Sequence, residues 1–568
     1  MKQIMKEYIS VKGSLKTILI IMLMFSVYFV INARIMIWIA EVINGAEVGN
    51  ANKINLYLGL LITGCIVNTV LDFFISRLMR MNMSVVFTEF CNRFSEKVLY
   101  ADYDVFTKYS SGKLNTVFAG ILNISRAGKL VLNTFRSAVN ILVLLISICI
   151  INIKLIAPII VIYIVGTIVI KKIWNKISDI EKGIADTKVK RGDEIHKIID
   201  GFAEIRSSGT ELMHMNNIVD FNISIKSNLF RKIKTVACST VAFNVIDTTI
   251  MMIMVLYSIF AISNNIISSS IAMSLVMYGW RLLDPLITIL DSTDMLAEIN
   301  GDFVKYKEFM TIENSVIEGP IELTKFNTSI RFENVSFCYE KSDKVLNKIN
   351  LTIEKGQKVG FCGHSGGGKS TLIKLIPRLY DVTEGKILID GINIKDLTFK
   401  SLRSHIGVVH QNNYIFKGSI LYNVTYGINR DVIMDQVIEA CKKCCIYDFI
   451  ISLPEGFNTD VGPNGLKLSG GQQQRIALTR IFLRDPDIII LDEATSALDN
   501  ESEAIIQESL KMFADKTVIT IAHRLSTIQD CDKIVVIDEH KVAEEGTHDE
   551  LLAKHGLYYD LWNAKETL

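Results

Sequence analysis

The sequence predicts a helical membrane domain of six spans followed by an α/β domain built around a phosphate-binding loop. Three observations predict it. Apolar residues make up 49% of the 568-residue chain, and the mean hydropathy of +0.32 is high for a soluble protein. The excess sits in long Ile, Leu, Val and Met runs that end near Asp302, whereas from about Ser329 onward the pattern alternates as in a globular α/β domain. Within that second half, "KVGFCGHSGGGKSTLIKLI" reads as a strand, a glycine loop and a helix start.

A membrane-spanning helix needs roughly 20 mostly apolar residues. Six stretches meet or approach this, at 17–40, 54–78, 131–151, 155–170, 236–262 and 267–290. The fourth is short, but Asn152-Ile153-Lys154 offers a tight turn that makes it the antiparallel partner of the third. Basic residues set the orientation. They crowd the N-terminus (Lys2, Lys6, Lys12, Lys16), the segment after the second span (Arg80, Arg93, Lys97, Lys108, Lys113) and the segment after the fourth (Lys171, Lys172, Lys176, Lys182, Lys188, Lys190, Arg191). The loops "EVINGAEVGNANK" and "ISNNIISSS" carry one Lys and none. Both termini are therefore expected in the cytosol. The two long basic segments are periodic at 83–98 and 180–199, which predicts helices continuing out of the membrane and turning back near 102–112 and 207–215.

Ionisable residues at membrane depth are costly and tend to face a cavity or a partner. Of Arg34, Asp72, Arg136, Asp247, Arg281 and Asp284, the last three are candidates for a pathway lining. The competing reading places them in cytosolic extensions or snorkelling to the head-group layer.

With 61 basic and 60 acidic residues the net charge is +1, so nothing in the balance points to a polyanion-binding surface and no nucleic-acid partner is expected. Ten cysteines are scattered through both halves. Only "CKKCC" (Cys441, Cys444, Cys445) approaches a metal spacing, and it lacks a second ligand cluster, so it reads as reduced thiols on a helix. The first apolar stretch is too long for a cleaved leader core and reads as a retained anchor.

The glycine loop fits G-x-x-x-x-G-K-[ST] at Gly363, Gly368, Lys369 and Ser370. Its glycines let backbone N–H groups of Gly363, His364, Ser365, Gly366, Gly367 and Gly368 curl round phosphate oxygens. The helix that follows presents its positive N-terminus to them. Lys369 supplies a point charge, Ser370 a hydroxyl for Mg²⁺, and Thr371 closes the loop. A second element, "DIIILDEATSALD", is a buried strand at 488–491 ending in Asp492 and Glu493. Asp492 is placed to hold Mg²⁺, and Glu493 to orient and deprotonate a water. An Asp-Glu pair is ordinarily a solvated surface pair, but at a strand end in a chain with a phosphate loop the catalytic reading takes precedence. The strand "KTVITIAHRLS" brings His523 to the same rim, and "IGVVHQ" brings Gln411, with reach to Mg²⁺ or the water.

These motifs together resemble an ATP-binding cassette (ABC) transporter of the exporter type, and the resemblance runs along the whole chain. The matching features are "GHSGGGKS", the glutamine at Gln411, the signature "LSGGQ" (Leu468, Ser469, Gly470, Gly471, Gln472), "IIILDEA", the "SALD" loop (Ser496, Ala497, Leu498, Asp499) and His523, with Tyr339 where the family sets a ring against adenine. One departure is "GPNG" (Gly462, Pro463, Asn464, Gly465), where the family usually has an acidic-basic pair between two glycines.

The resemblance implies the following. A membrane domain at 17–310 follows a cytosolic segment 1–16, and a linker 311–328 leads to a nucleotide domain at 329–568. ATP and Mg²⁺ are the cofactors. "DYDVFTKYSSGKL" is similar to the first cytosolic turn that docks on the nucleotide domain. The signature of one chain covers ATP held by the phosphate loop of another, so a second copy is required. A homodimer is the simpler assembly because Glu493, His523, Gln411 and the signature are all intact, and a heterodimer with a defective partner is the alternative. The implied function is ATP-driven export of a small hydrophobic or amphipathic substrate across a lipid bilayer, expected to be the plasma membrane of a bacterium. A lipid or lipid-linked glycan flippase and an ATP-gated regulatory protein are the alternatives. A basic cavity lining or a long external loop would favour the flippase, and the external loops here are short.

Overall fold

The computed structural model describes residues 2–109, 111–282, 284–339, 344–364, 366–411, 413–428, 430–465, 467–492, 513, 515–521 and 524–566. The chain forms two compact units, one of Met1–Tyr100 with Tyr109–Ile312, the other of Ala101–Lys108 with Glu313–Leu568.

The first unit is helical: α1 (Lys2–Ser10), α2 (Ser14–Glu47) and α3 (Ala51–Leu99) are followed, after α4 (Tyr103–Lys108) of the other unit, by α5 (Ser111–Ser125), α6 (Ala127–Ile151), α7 (Ile156–Asp200), α8 (Phe202–Ser208), α9 (Glu211–Ser263), α10 (Ser269–Trp280) and α11 (Asp284–Met310). Among the described residues, five helical runs are long and apolar enough to cross a membrane: α2, α3, Ser111–Ile151, α7 and α9. With 49 residues, α3 is about 74 Å long at a helical rise of about 1.5 Å per residue, far beyond a hydrocarbon core of about 30 Å. The extension of spans into long polar helices expected from the sequence is therefore present, as is the tight turn at Asn152, whose N–H donates to the Ile148 carbonyl at 2.9 Å.

The sixth expected span departs from the prediction. The stretch 267–290 is divided between α10 and α11. The physical reason is Pro285, which lacks an N–H and disfavours helix at the residue before it. As the second residue of α11 it sits where a missing donor costs nothing. The preceding chain closes tightly, Arg281 N–H to Tyr278 O at 3.1 Å and Leu282 N–H to Gly279 O at 3.3 Å.

Packing of the first unit centres on Met36, Leu144, Ile148, Ile159, Ile250, Met254, Leu275 and Tyr278, all buried. The Tyr278 hydroxyl donates to the Ala33 carbonyl at 3.1 Å, tying α10 to α2. At the far turn Glu194 of α7 joins His214 Nδ1 (2.8 Å) and Asn217 Nδ2 (3.0 Å) of α9. The amphipathic α1 is clamped by Tyr8, 1% exposed. Asn82 of α3 donates to its hydroxyl at 3.1 Å, and Gly128 of α6 lies so close that an added Cβ would stand 2.2 Å from that oxygen.

The second unit contains two sheets. A four-stranded antiparallel sheet has the order β2-β1-β4-β5, with β1 Ser329–Phe337, β2 Leu346–Glu354, β4 Glu384–Ile389 and β5 Ile392–Asn393. A six-stranded sheet has the order β10-β9-β3-β8-β7-β6, with β3 Lys358–Cys362, β6 Ile406–Val409, β7 Ile488–Asp492, β8 Thr517–Ile521, β9 Lys533–Asp538 and β10 Lys541–Gly546. All its pairings are parallel except β9 with β10. Strands buried on both faces need continuous Val and Ile, which is what "DIIIL" and "KTVITI" supply. The sheets share a core that includes Phe332, Ile349, Phe361, Leu372, Ile490 and Ile519. The helices are α12 (Lys369–Leu375), α13 (Phe399–Ser404), α14 (Ile420–Val424), α15 (Met434–Lys443), α16 (Tyr447–Ser452), α17 (Gly470–Arg484), α18 (His548–Ala553) and α19 (Leu557–Glu566). Of these, α14 to α17 enclose a second core around Ile420, Val437, Cys441, Ile450 and Ile476.

Replacing Gly128 with Ala is expected to push Tyr8 from its seat at a cost of about 1–3 kcal/mol, typical of overpacking. The readout is a lower unfolding midpoint in detergent together with faster proteolysis of α1.

Candidate functional site

Register decides where the functional side chains fall. One row crosses the parallel sheet through Val408, Ile490, Ile519, Val359 and Lys533. Along the sequence Gln411, Asp492, His523 and Gly363 follow Val408, Ile490, Ile519 and Val359 by two to four residues. The strands run in one direction, so Gln411, Asp492 and Gly363 leave the sheet at one rim, where α/β proteins hold their ligands. Gln411 is exposed two residues past β6, and Asp492 is the half-buried last residue of β7. Asp492 lines a cavity of about 330 Å³ together with His410 and Lys374, which brings the ends of β6 and β7 to one place. Glu493, His523, Ser365 and Ser496, Ala497, Leu498 and Asp499 lie outside the described residues.

The glycine loop joins β3 to α12 on that rim. Gly363, Gly366 and Gly368 have φ of 131°, 85° and 101°, a region that side chains rarely tolerate. A Cβ on Gly363 would stand 2.0 Å from the Ile537 carbonyl oxygen, and one on Gly368 2.5 Å from that of Val345. The loop is thus a tight backbone cradle closing on the first turn of α12. Lys369, 8% exposed, donates through Nζ to the carbonyls of Gly363 and His364, both at 2.8 Å. Ser370 is half-buried beside it, Thr371 is buried, and Gly366 and His364 are exposed. Burial pushes the Cys362 thiol at the end of β3 up to about 12, and the nearby Lys369 ammonium offsets this only in part. A rigid ring of N–H groups with a desolvated ammonium and a hydroxyl at the helix start suits a polyphosphate and its Mg²⁺.

Tyr339 lies just past β1, with its hydroxyl sharing a hydrogen bond of 3.0 Å with Thr371 Oγ1. Its ring meets Phe337 and Tyr380 edge-on at 4.8 and 5.3 Å. Tyr380 escaped the sequence reading. It touches Tyr103 of α4, with ring centroids 5.6 Å apart, so the segment expected to dock on the nucleotide domain meets, through Tyr380, the ring of Tyr339, whose hydroxyl is bonded to Thr371 of α12. Nearby, the Asp102 carboxylate accepts from Ser315 Oγ at 2.7 Å and Val316 N–H at 3.2 Å. No local motif marks Tyr380; the only signal is an aromatic residue soon after α12. Arg378 was missed as well. It is 2% exposed, held by Asp381 at 2.8 Å and the Ile317 carbonyl at 2.7 Å.

The signature stands apart. Ser469 caps α17 in a capping box, its hydroxyl accepting from Gln472 N–H at 3.3 Å while Gln472 Oε1 accepts from Ser469 N–H at 2.8 Å. Ser469 and Gly470 are exposed, and Leu468 and Gly471 are buried. Leu468 packs into the core of α14 to α17, not into the core beneath the phosphate loop. Among the described residues no hydrogen bond or ion pair joins 468–472 to 363–371. Of the "GPNG" departure, Gly462 and Gly465 adopt φ of 73° and 68°. Cys441 and Cys444 are buried in two different cores. In the first unit, Asp247 is half-buried on α9, while Arg281 and Asp284 are exposed at the break between α10 and α11.

Residues 346–496 match the family described as ABC transporter. Putative multidrug export ATP-binding/permease proteins of Staphylococcus aureus strains NCTC 8325 and COL are 52% identical over 255 residues, covering 44% of this chain and 43% of theirs. The same type of protein from the bovine strain RF122 matches over an equal span. The chain therefore matches less than half the length of these relatives. In fold, it is similar to a bacterial Atm1-family ABC exporter with ATP bound, at a TM-score of 0.83 and 24% identity over 98% of both chains.

Two outcomes are expected from this geometry. Gly363→Ala forces its Cβ against the Ile537 carbonyl and lowers the stability of the soluble unit by about 1–3 kcal/mol or more, measured by urea unfolding. Iodoacetamide at pH 8 labels the exposed Cys445 and spares Cys362, Cys441 and Cys444, whose burial pushes each thiol up to about 12; peptide mass spectrometry reads the pattern.

Proposed function

From the premise that residues 346–496 form an ABC transporter domain within a chain of exporter fold, we propose an ATP-driven membrane exporter working as a pair of copies. The observation that carries this reading is the split just described: the phosphate loop and Asp492 share one rim of the parallel sheet, while Ser469 and Gly470 face outward on a separate core. Each chain then offers two half-sites, and the signature of one copy completes the phosphate site of the other. Tyr339 stacks on adenine, the N–H groups of the loop cradle the phosphates, and Lys369 neutralises the terminal ones. Ser370, Gln411 and Asp492 would hold Mg²⁺, which screens phosphate charge when bound. Glu493 takes the proton of the attacking water, and His523 and Gln411 hold that water in line. Ser469, Gly470 and Gly471 add donors from across the interface, and the SALD loop (Ser496, Ala497, Leu498, Asp499) lines it.

Closure of the paired domains is favoured to the extent that ATP binds the closed state more tightly, and α4, fixed to Tyr380, carries the movement toward the membrane helices. The substrate is a small hydrophobic or amphipathic compound, with Asp247, Arg281 and Asp284 as pathway candidates. The setting is a bacterial plasma membrane with termini and nucleotide domain in the cytosol. The five apolar runs among the described residues and the exporter fold support an integral membrane protein. The flippase alternative gains from a specific observation, a cavity of about 620 Å³ whose lining includes Arg80, Arg126 and Lys129.

In lipid nanodiscs Glu493→Gln is expected to lower ATP turnover by about 10²–10⁴-fold, the usual contribution of a general base, with nucleotide binding retained. Normal turnover in that variant would remove Glu493 from its role. Lys369→Ala and Ser469→Arg chains, each inactive alone, are expected to regain partial turnover when mixed, because a mixed pair keeps one intact composite site. Absence of rescue would argue against sites shared between copies.

A further inference from the structure

Between α7 and α9 lies a cavity of about 460 Å³ into which four cations converge, Lys172 and Lys176 from one helix, Arg231 and Lys234 from the other, with Thr235 and Ile173 beside them. Spacings of four and three residues put each pair on one helix face. Among the described residues no carboxylate lines the cavity and no ion pair engages any of the four. Nearby basic residues are paired, Lys232 with Glu181 and Lys182 with Asp179. Four like charges gathered in one cleft repel one another until an anion enters. A solvated ring of snorkelling lysines would spread round the helices and would not converge on a concavity.

The depth of the cleft is fixed by the sequence. Lys172 lies two residues past the apolar stretch 155–170, and Lys234 two residues before the apolar stretch 236–262. The cleft therefore lies in the head-group layer at the end of both helices that bears the basic segments. One turn further along the same two helices, from Val169 and Ala242 inward, a second cavity of about 420 Å³ opens. It is lined by Val165, Gly166, Val245 and Ile246 among other apolar residues. Gly166 keeps this groove open, since a Cβ there would meet Ile246 at 3.1 Å. A cationic mouth followed by an apolar channel on one helix pair has the polarity profile of a phospholipid, head first and acyl chain behind.

We propose that the α7–α9 cleft and groove form a binding site for an anionic phospholipid, the phosphate held by Lys172, Lys176, Arg231 and Lys234 and one acyl chain lying against Gly166. The proposal rests on the reading of α7 and α9 as membrane spans and not on ATP hydrolysis, so it is tested without nucleotide. The full-length protein is equilibrated in nanodiscs of equal phosphatidylglycerol and phosphatidylcholine, extracted into detergent, and its retained lipid counted by native mass spectrometry. The expected result is severalfold enrichment of phosphatidylglycerol. The enrichment is lost in K172Q/K176Q/R231Q/K234Q, reduced in Gly166→Leu, which fills the groove without touching a charge, and kept in K188Q/K190Q. Glycerol 1-phosphate, a head group without chains, is expected to compete only weakly. Equal retention of the two lipids by the wild-type protein overturns the proposal, as does full retention in the quadruple variant or in Gly166→Leu. Displacement by glycerol 1-phosphate at phospholipid-like concentrations assigns the cleft to a free anion and overturns the lipid as its occupant.

Discussion

The parallel register of β9, β3, β8, β7 and β6 is the constraint on which the soluble unit depends. A shift of one residue in any of these strands would turn its side chains to the opposite face and carry the residue that follows it off the rim. Because the strands are buried on both faces, the register is enforced by apolar packing of Val359, Ile490 and Ile519 rather than by the polar residues it serves. Chemistry at the rim and stability in the core are thus separate tasks given to adjacent residues. Cys362 and Gly363 mark the boundary: the first is 1% exposed, and the second has room for no side chain.

A second separation follows from the two cores of that unit. The sheets hold the phosphate loop, and α14 to α17 hold the signature. A glycine-rich segment beginning at Ser469 could be taken for a duplicate of the loop at Gly363, but the two differ in kind. The loop is closed on itself by positive φ angles and an inward lysine. The signature is the outward-facing start of a helix whose capping box ties Ser469 to Gln472. One element encloses a ligand, and the other presents a surface.

Much of this was legible in the sequence, and the reasons are local. Strand, loop and helix around Lys369 are contiguous, so motif and context are read together. The strand before Asp492 announces itself by four consecutive branched or apolar residues. Five apolar runs needed only length and composition. The break near Pro285 was missed because an apolar average passes over one proline, although the residue types at the break state the reason plainly. The antiparallel sheet β2-β1-β4-β5, the clamp of Tyr8 on Asn82 and Gly128, and the contact of Tyr380 with Tyr103 depend on partners tens to hundreds of residues apart, and no window along the chain contains both halves. Glu493, His523, Ser365 and the Ser496–Asp499 loop rest on sequence alone.

The chain leaves the helical unit at Tyr100, contributes Ala101–Lys108 to the soluble unit, and returns at Tyr109. This path imposes an order on biogenesis. When α4 emerges from the ribosome its aromatic partner Tyr380 is more than two hundred residues from being made, so α4 waits undocked while several more spans are inserted. Closing so long a loop is slow, and docking of α4 is among the last contacts to form. The same path makes the gene hard to divide. A fragment beginning at Glu313 would omit α4 and leave the ring of Tyr380 without Tyr103, an aromatic face open to self-association.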